Sequence, residues 1–468
     1  LVLCNSLFFS YVVLEILTLG TYLLIGLWFN QSLVVSGARD AFLTKRVGDL
    51  VLLMAVVGLL PLAGTWNFTD LANWSETAQL KPVIATFLSL ALIAGPIAKC
   101  AQFPLHLWLD EAMEGPYPAT ILRNTVVVAT GAWVLIKLQP VLELSPIASG
   151  VMIFVGGTTA IGASLISIAQ VDVKRVLSYM VSAYMGLEFI AVGTGQAQAA
   201  LVLLLTYTVA MSLLVMSTGS VVWNTVTQDV TMYGGLWSRR PITGICFIVG
   251  ALSMVAIPPF GSFWALAEMG DTLWDTRPWL FGVLLLVSGL CAFSLARLFC
   301  LMFGGKPSDM TKRSPEAFWL LTLPTMALMG FALHVPILLW QWDLLTEWAT
   351  LDRTVAFLLV FVTFDGLALG SLIYLNPNWQ KPVRFGPKFL QDFFAYGLYA
   401  AKLCRVTIVF PVALISQAVA WFDRIIVDGV VNLVGLAAVF GGQTLRYNVS
   451  GQAQFYALSI ALAISLFL

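Results

Sequence analysis

Four ionisable residues stand where a hydrocarbon environment makes them costly. Glu15 lies midway along the apolar run "YVVLEILTLG", Asp49 follows Arg46 in "KRVGDLVLL", Lys99 closes "LIAGPIAK", and Arg123 enters the next apolar run in "ATILRNTVVVA". At bilayer depth such a charge costs roughly 2.5–3.5 kcal/mol on insertion scales, so by default it pairs with another or lines a pathway. A buried lysine with a movable carboxylate partner suits proton transfer, because desolvation weakens its hold on the proton and an approaching acid strengthens it. The same residues would serve equally as plain interhelical ion pairs. Arg123 is a different chemical object: guanidinium stays protonated, and its two-pronged fork suits a carboxylate-like anion, unless the side chain only snorkels from a helix end. His106 in "FPLHLW" titrates near neutrality or is simply hydrogen-bonded. Glu188 in "YMGLEFIAVG" either extends a proton wire or faces the outer water.

The elements that must hold these groups are membrane helices. The chain is 59% hydrophobic and 10% charged, against roughly 25% charged residues in a soluble domain. Apolar runs long enough to span a bilayer, about 18 to 25 residues, fall near 6–29, 40–63, 82–99, 117–138, 145–168, 174–193, 198–223, 241–265, 279–303, 315–341, 354–375 and 452–468. With 24 basic and 24 acidic residues the net charge is zero, which gives no reason to expect a nucleic-acid partner. Cys4, Cys100, Cys246, Cys291, Cys300 and Cys404 lie in or beside apolar runs and form no CxxC pair, so they read as buried thiols. The absence of a cysteine cluster and of GxGxxG argues against redox chemistry on this chain.

Basic residues are unevenly distributed between the loops. If the runs alternate, one side collects Arg39, Lys45, Arg46, Lys174, Arg175, Arg239, Arg240, Lys306, Lys312, Arg313, Lys381, Arg384 and Lys388, and the other only Lys81, Lys137, Arg277 and Arg353. The positive-inside rule makes the first side cytoplasmic. Two spans, the third and the eighth, carry prolines in "GPIAKCAQFPLHLW" and "SMVAIPPFGSFWALAE" and should be broken. Breaks five helices apart suggest inverted five-helix repeats. The expected division is a first half-repeat over 1–139, a second over 140–305, further spans over 306–380, a lateral region over 381–448 and an anchoring span over 449–468. The charges Lys388, Asp392, Lys402, Arg405, Asp423, Arg424 and Asp428 are too frequent for an ordinary span and suggest a helix lying along the membrane surface, kinked or interrupted at Pro411.

In order, "TYLLIGLW", "AFLTKRVGDL", "AKCAQFPLHLWL", "EAMEGPYP" and "DVKRVLSYMVSAYMG" resemble the signatures of the distal antiporter-like subunit of complex I, the NdhF/NuoL type. "FDRIIVDGVVNLVG" and "SGQAQFYAL" resemble that family's lateral helix and last anchoring span. Matched this way, the sequence is expected to be a fragment that begins at the close of the family's fourth helix. The resemblance implies that Glu15 pairs with Lys99 as the proton-handling couple, that Arg46 and Asp49 are the base and acid of the next helix, and that Lys174 is the basic residue of "DVKRVL". In the second half Asn124 stands for a histidine, Arg123 for an apolar residue, Met211 and Leu266 for lysines, Tyr207 for a histidine and Ala267 for an acid, leaving Glu268.

This pattern of losses is similar to the divergent F-type subunits of cyanobacterial photosynthetic complex I devoted to CO2 uptake. That subclass implies a thylakoid location, a neighbouring D-type subunit, and an extramembrane Cup-type protein that hydrates CO2 to bicarbonate and would carry any zinc. Plastoquinone and iron–sulfur clusters would belong to other subunits of the NAD(P)H- or ferredoxin-dependent oxidoreductase. An ordinary proton-pumping complex I subunit and a free-standing cation/proton antiporter subunit are the alternatives.

Overall fold

Helix formation follows the apolar runs, and the computed structural model describes it for residues 1–376 and 387–468. Lys381 and Arg384 of the basic-loop census, and the expected border at 380/381, lie outside the described residues. The chain forms α1 (Leu7–Ile25), α2 (Ser32–Ala63), α3 (Phe68–Thr77), α4 (Pro82–Lys99), a short α5 (Leu107–Glu111), α6 (Tyr117–Leu122) and α7 (Val128–Leu142). α6 and α7 are joined through a π turn at Arg123–Val127 into one span, Tyr117–Leu142. Next come α8 (Pro146–Ala169), α9 (Val173–Gly193), α10 (Ala197–Thr225), α11 (Pro241–Met254), α12 (Gly261–Thr276), α13 (Pro278–Phe303), α14 (Trp319–Gln341), α15 (Arg353–Leu375) and α16 (Lys388–Ala395). Among the described residues eleven helices are long and apolar enough to cross a membrane, and α11 and α20 (Ala453–Phe467) are shorter apolar helices.

The second run starts earlier than its hydropathy suggests. α2 begins at Ser32 and runs for 32 residues, about 48 Å at 1.5 Å per residue. Arg39, Lys45 and Arg46 are therefore helical residues and not loop charges. Lys45, Lys174 and Arg240 are buried as well, so the uneven distribution of loop charges rests on fewer residues than a count along the sequence gives.

Both expected helix breaks are present. α4 ends at Lys99, the chain turns through Ala101 at a φ of 49°, and helix resumes at Leu107. Broken backbone at this depth needs internal partners. The Trp108 indole donates to the Ala98 carbonyl at 2.7 Å, Gln102 Nε2 donates to the Ser182 carbonyl at 3.1 Å, and the Phe103 amide donates to Thr159 Oγ1 at 3.0 Å. The second break separates α11 from α12, and there Tyr184 Oη donates to the Met254 carbonyl at 2.5 Å.

α9 occupies the middle of the first unit, which spans Leu1–Leu398, and is buried along its whole apolar length. Asp172 starts it by accepting from the amides of Lys174 and Arg175 at 2.8 and 3.1 Å, the bond geometry of an N-cap. α8, α7 and α10 pack on it, as α4 packs on α2 and α15 on α13.

The second unit, Tyr399–Leu468, is built from α17 (Ala400–Cys404), α18 (Phe410–Phe422), α19 (Asp428–Asn448) and α20. π turns at Arg405–Val409 and Asp423–Val427 link the first three into a continuous helix. Pro411 therefore does not interrupt the helix. Its missing N–H and its ring fall just after a π turn, where the wider winding relieves the clash a proline makes with the preceding turn.

Candidate functional site

α1, α2 and α4 bring the first-half charges together, but not in the expected pairs. Lys99 Nζ sits 2.7 Å from Asp49 Oδ2 and also donates to Thr18 Oγ1. Both side chains of the ion pair are 1% exposed. Glu15 pairs with Arg46 and not with Lys99, in a bridge whose side chains are 17% and 32% exposed. Helical register explains the exchange. Glu15 and Thr18 are one turn apart on α1, as are Arg46 and Asp49 on α2, so the deeper member of each pair meets Lys99 and the shallower members meet each other.

Two glycines permit this contact. A Cβ at Gly48 would lie 2.5 Å from Ala98 Cβ and 2.6 Å from the Ala94 carbonyl; one at Gly131 would lie 2.6 Å from Lys99 Cβ. Only hydrogen side chains fit there, which lets α2 and α7 close on the end of α4.

Lys45, counted along the sequence as a loop charge, is part of the site. Its side chain is 1% exposed and its ammonium lies 4.3 Å from the centroid of the Trp108 ring, with no hydrogen-bond partner. It feels the charges of Lys99, Asp49 and Arg123. The spacing of Lys45 and Asp49, four residues apart on a helix, was the signal available in the sequence.

Arg123 is buried and does not snorkel. It opens the π turn and donates to the Ala112 carbonyl, to Asn124 Oδ1 at 3.2 Å and to Met113 Sδ at 3.2 Å. Lys174 holds the same 3-10 turn from the other side, donating to the carbonyls of Met113 and Gly115 at 3.0 Å each. Arg175 adds ion pairs to Asp110 at 3.4 Å and Glu114 at 3.9 Å. The segment "EAMEGPYP" is thus clamped by three cations. His106 lies at the first break with Nδ1 buried and unpartnered, beside a cavity of about 270 Å³ lined by Phe103, Phe154 and Tyr179.

Glu188 does not face outer water: its side chain is fully buried in α9, and among the described residues neither carboxyl oxygen has a partner. In the second half, Tyr207, Met211, Leu266 and Ala267 are buried to 1% exposure or less, and Tyr207 Oη donates to the Asn124 carbonyl at 2.7 Å. Glu268 is half-buried and accepts from Thr346 Oγ1 at 2.8 Å. Arg297, which has no motif around it, is buried too and donates to the Gln170 carbonyl at 2.7 Å.

Two broken helices and a buried lysine–carboxylate pair beside the first of them define an antiporter-like membrane subunit. A family described as NADH:quinone oxidoreductase/Mrp antiporter, TM, matches residues 4–292. The chain is similar to NAD(P)H-quinone oxidoreductase subunit 5, organellar chromatophore 2, of Paulinella chromatophora, with 43% identity over 463 residues that cover 99% of this chain and 75% of the relative. It is also similar to the chloroplastic subunit 5 of Nephroselmis olivacea, with 30% identity over 498 residues covering 98% of this chain and 76% of that one. Chain 5 of the same oxidoreductase from Picosynechococcus sp. shows 29% identity over 504 residues, covering 96% and 76%. The chain belongs to the NADH:quinone oxidoreductase/Mrp antiporter family as an NdhF/NuoL-type subunit.

Proposed function

We propose that this chain is the distal membrane-arm subunit of a photosynthetic NAD(P)H- or ferredoxin-dependent plastoquinone oxidoreductase, in which proton movement is coupled to the hydration of CO2. The observation that supports this reading is an asymmetry between the halves. The first half carries the buried Lys99–Asp49 pair. At the second-half positions where the family resemblance expects lysines stand Met211 and Leu266, both buried. A thioether and an isobutyl group bind no proton. Hydration of CO2 yields bicarbonate and a proton, so removing that proton through Lys99 and Asp49 would draw the reaction forward. Arg123, a cation in the same region, would raise the cost of returning it.

Partners under this reading are the adjacent D-type subunit and a Cup-type extramembrane protein, in a thylakoid membrane with the basic loops on the cytoplasmic side. Under this reading a hydrating zinc would sit on the Cup-type partner, and the quinone and the iron–sulfur clusters would belong to other subunits. The second reading is an ordinary proton-pumping subunit, which the printed names of the relatives fit equally well.

The test is light-dependent CO2 uptake at limiting CO2, followed by membrane-inlet mass spectrometry, in cells lacking the gene and in cells carrying Lys99→Ala. Uptake lost in both, with the complex assembled and linear electron transport intact, is the expected result. Normal uptake in the deletion strain, with proton pumping impaired, would overturn the CO2 reading and leave the ordinary subunit.

A further inference from the structure

Glu188 is the one acid among the described residues whose two carboxyl oxygens are both buried and unpartnered. Leaving a carboxylate uncompensated in such surroundings is among the most expensive arrangements a protein makes. A simple packing role would be filled better by leucine or methionine, so the carboxyl needs another explanation.

Its surroundings supply one. Glu188 lies one helical turn beyond Tyr184 on the same face of α9. The Tyr184 ring stacks on that of Tyr207 at 5.8 Å, and the Tyr184 hydroxyl reaches Met254 at the second helix break. Towards the first break, Glu188 lies within electrostatic reach of Cys100, and Cys100 and Glu188 are both within reach of Tyr207. Cys100 is the residue after Lys99, buried with its thiol directed at the Val128 carbonyl at 3.5 Å. The proton-binding groups within reach of Glu188 are Cys100 at the first break, which directly follows Lys99 in the chain, and Tyr207 on α10, with Tyr184 one turn away on α9. Among the described residues no basic side chain pairs with it.

We propose that Glu188 is the proton-carrying group through which the first-half lysine communicates with the second half, taking the place that Met211 cannot fill. The Lys99 ammonium gives up one proton, which passes through water beside Cys100 to the Glu188 carboxylate. Lys99 is left as the neutral amine, Glu188 as the neutral acid, and one positive and one negative charge disappear from the interior together. Release toward the Tyr207–Tyr184 side restores the carboxylate, and Lys99 recovers its proton from the Asp49 side. The Tyr184 and Tyr207 hydroxyls are spent on the Met254 and Asn124 carbonyls; the carboxyl is what stores the proton. This holds whether or not CO2 hydration is coupled to the movement.

The experiment is reaction-induced infrared difference spectroscopy on the purified, assembled complex, with dye-reported proton uptake in vesicles, for wild type, Glu188→Gln and Glu188→Asp. The expected result is a carboxylic C=O band that shifts in D2O, disappears in Glu188→Gln and moves in frequency in Glu188→Asp. Proton uptake per electron falls in Glu188→Gln. An unchanged band and unchanged uptake in Glu188→Gln would overturn the proposal. If Glu188→Gln fails to assemble, Glu188→Asp decides: a frequency shift supports the assignment, and a spectrum identical to wild type overturns it. CO2 uptake is not a readout here, so failure leaves the CO2 reading untouched.

Discussion

The exchange of partners between Glu15 and Asp49 changes what each substitution should do. Lys99 and Asp49 are 1% exposed, so removing one leaves an uncompensated buried charge, which costs about 3–5 kcal/mol. Glu15 and Arg46 are 17% and 32% exposed and lose less. We expect Asp49→Leu and Lys99→Met each to lower the thermal stability of the extracted complex more than Glu15→Gln does, and the Asp49→Leu/Lys99→Met double variant to recover part of the loss. Equal losses for Asp49→Leu and Glu15→Gln, measured by thermal unfolding in the same detergent, would contradict the burial argument. The ionisable residues themselves were legible in the sequence, because a charge in an apolar run announces itself. Their partners were not, since pairing depends on depth along neighbouring helices. Lys45 was missed for a related reason: it lies inside the apolar run at 40–63 but close to its start, beside Arg46, and so was counted with the loop charges.

The helices and both breaks were readable from apolar length and proline position. The close approach between helices was not. Gly48 sits within an ordinary-looking run, yet a side chain there would collide with Ala98 Cβ and the Ala94 carbonyl. Because the carbonyl belongs to the backbone, no rotamer change relieves the clash, and α2 must move off α4. Gly48→Val is expected to separate Asp49 from Lys99 and to lower proton uptake. Gly58→Val is the control, since nothing lies within 4 Å of an added Cβ there. Equal activity of the two variants in a vesicle proton-uptake assay would show that the close approach is unimportant. Of the two outcomes expected at Pro411, interruption does not occur, because a proline ends a helix only when the turn before it is too tight to accommodate the ring, and the π turn at Arg405–Val409 is not.

At the scale of the whole chain, orientation rests on the charges that remain exposed once Lys45, Lys174 and Arg240 are recognised as buried. Lys312 is one of these, and its ammonium holds the exposed Asp309 carboxylate 2.7 Å away, depressing that acid below its ordinary range. A cysteine placed at Lys312 is expected to react with a membrane-impermeant maleimide from the cytoplasmic side only; reaction from the opposite side alone would invert the topology. The enclosure of α9 has a different consequence, for biogenesis. A helix carrying Lys174, Arg175 and Glu188 and buried along its whole apolar length has no surface made for lipid. It is a poor candidate to leave the insertion machinery alone and wait in the bilayer for its neighbours. The α8–α9–α10 segment must instead enter as a unit, with the charged middle helix sheltered by the flanking two from the moment of synthesis. The same burial that leaves Glu188 unpartnered therefore ties the insertion of α9 to that of its neighbours.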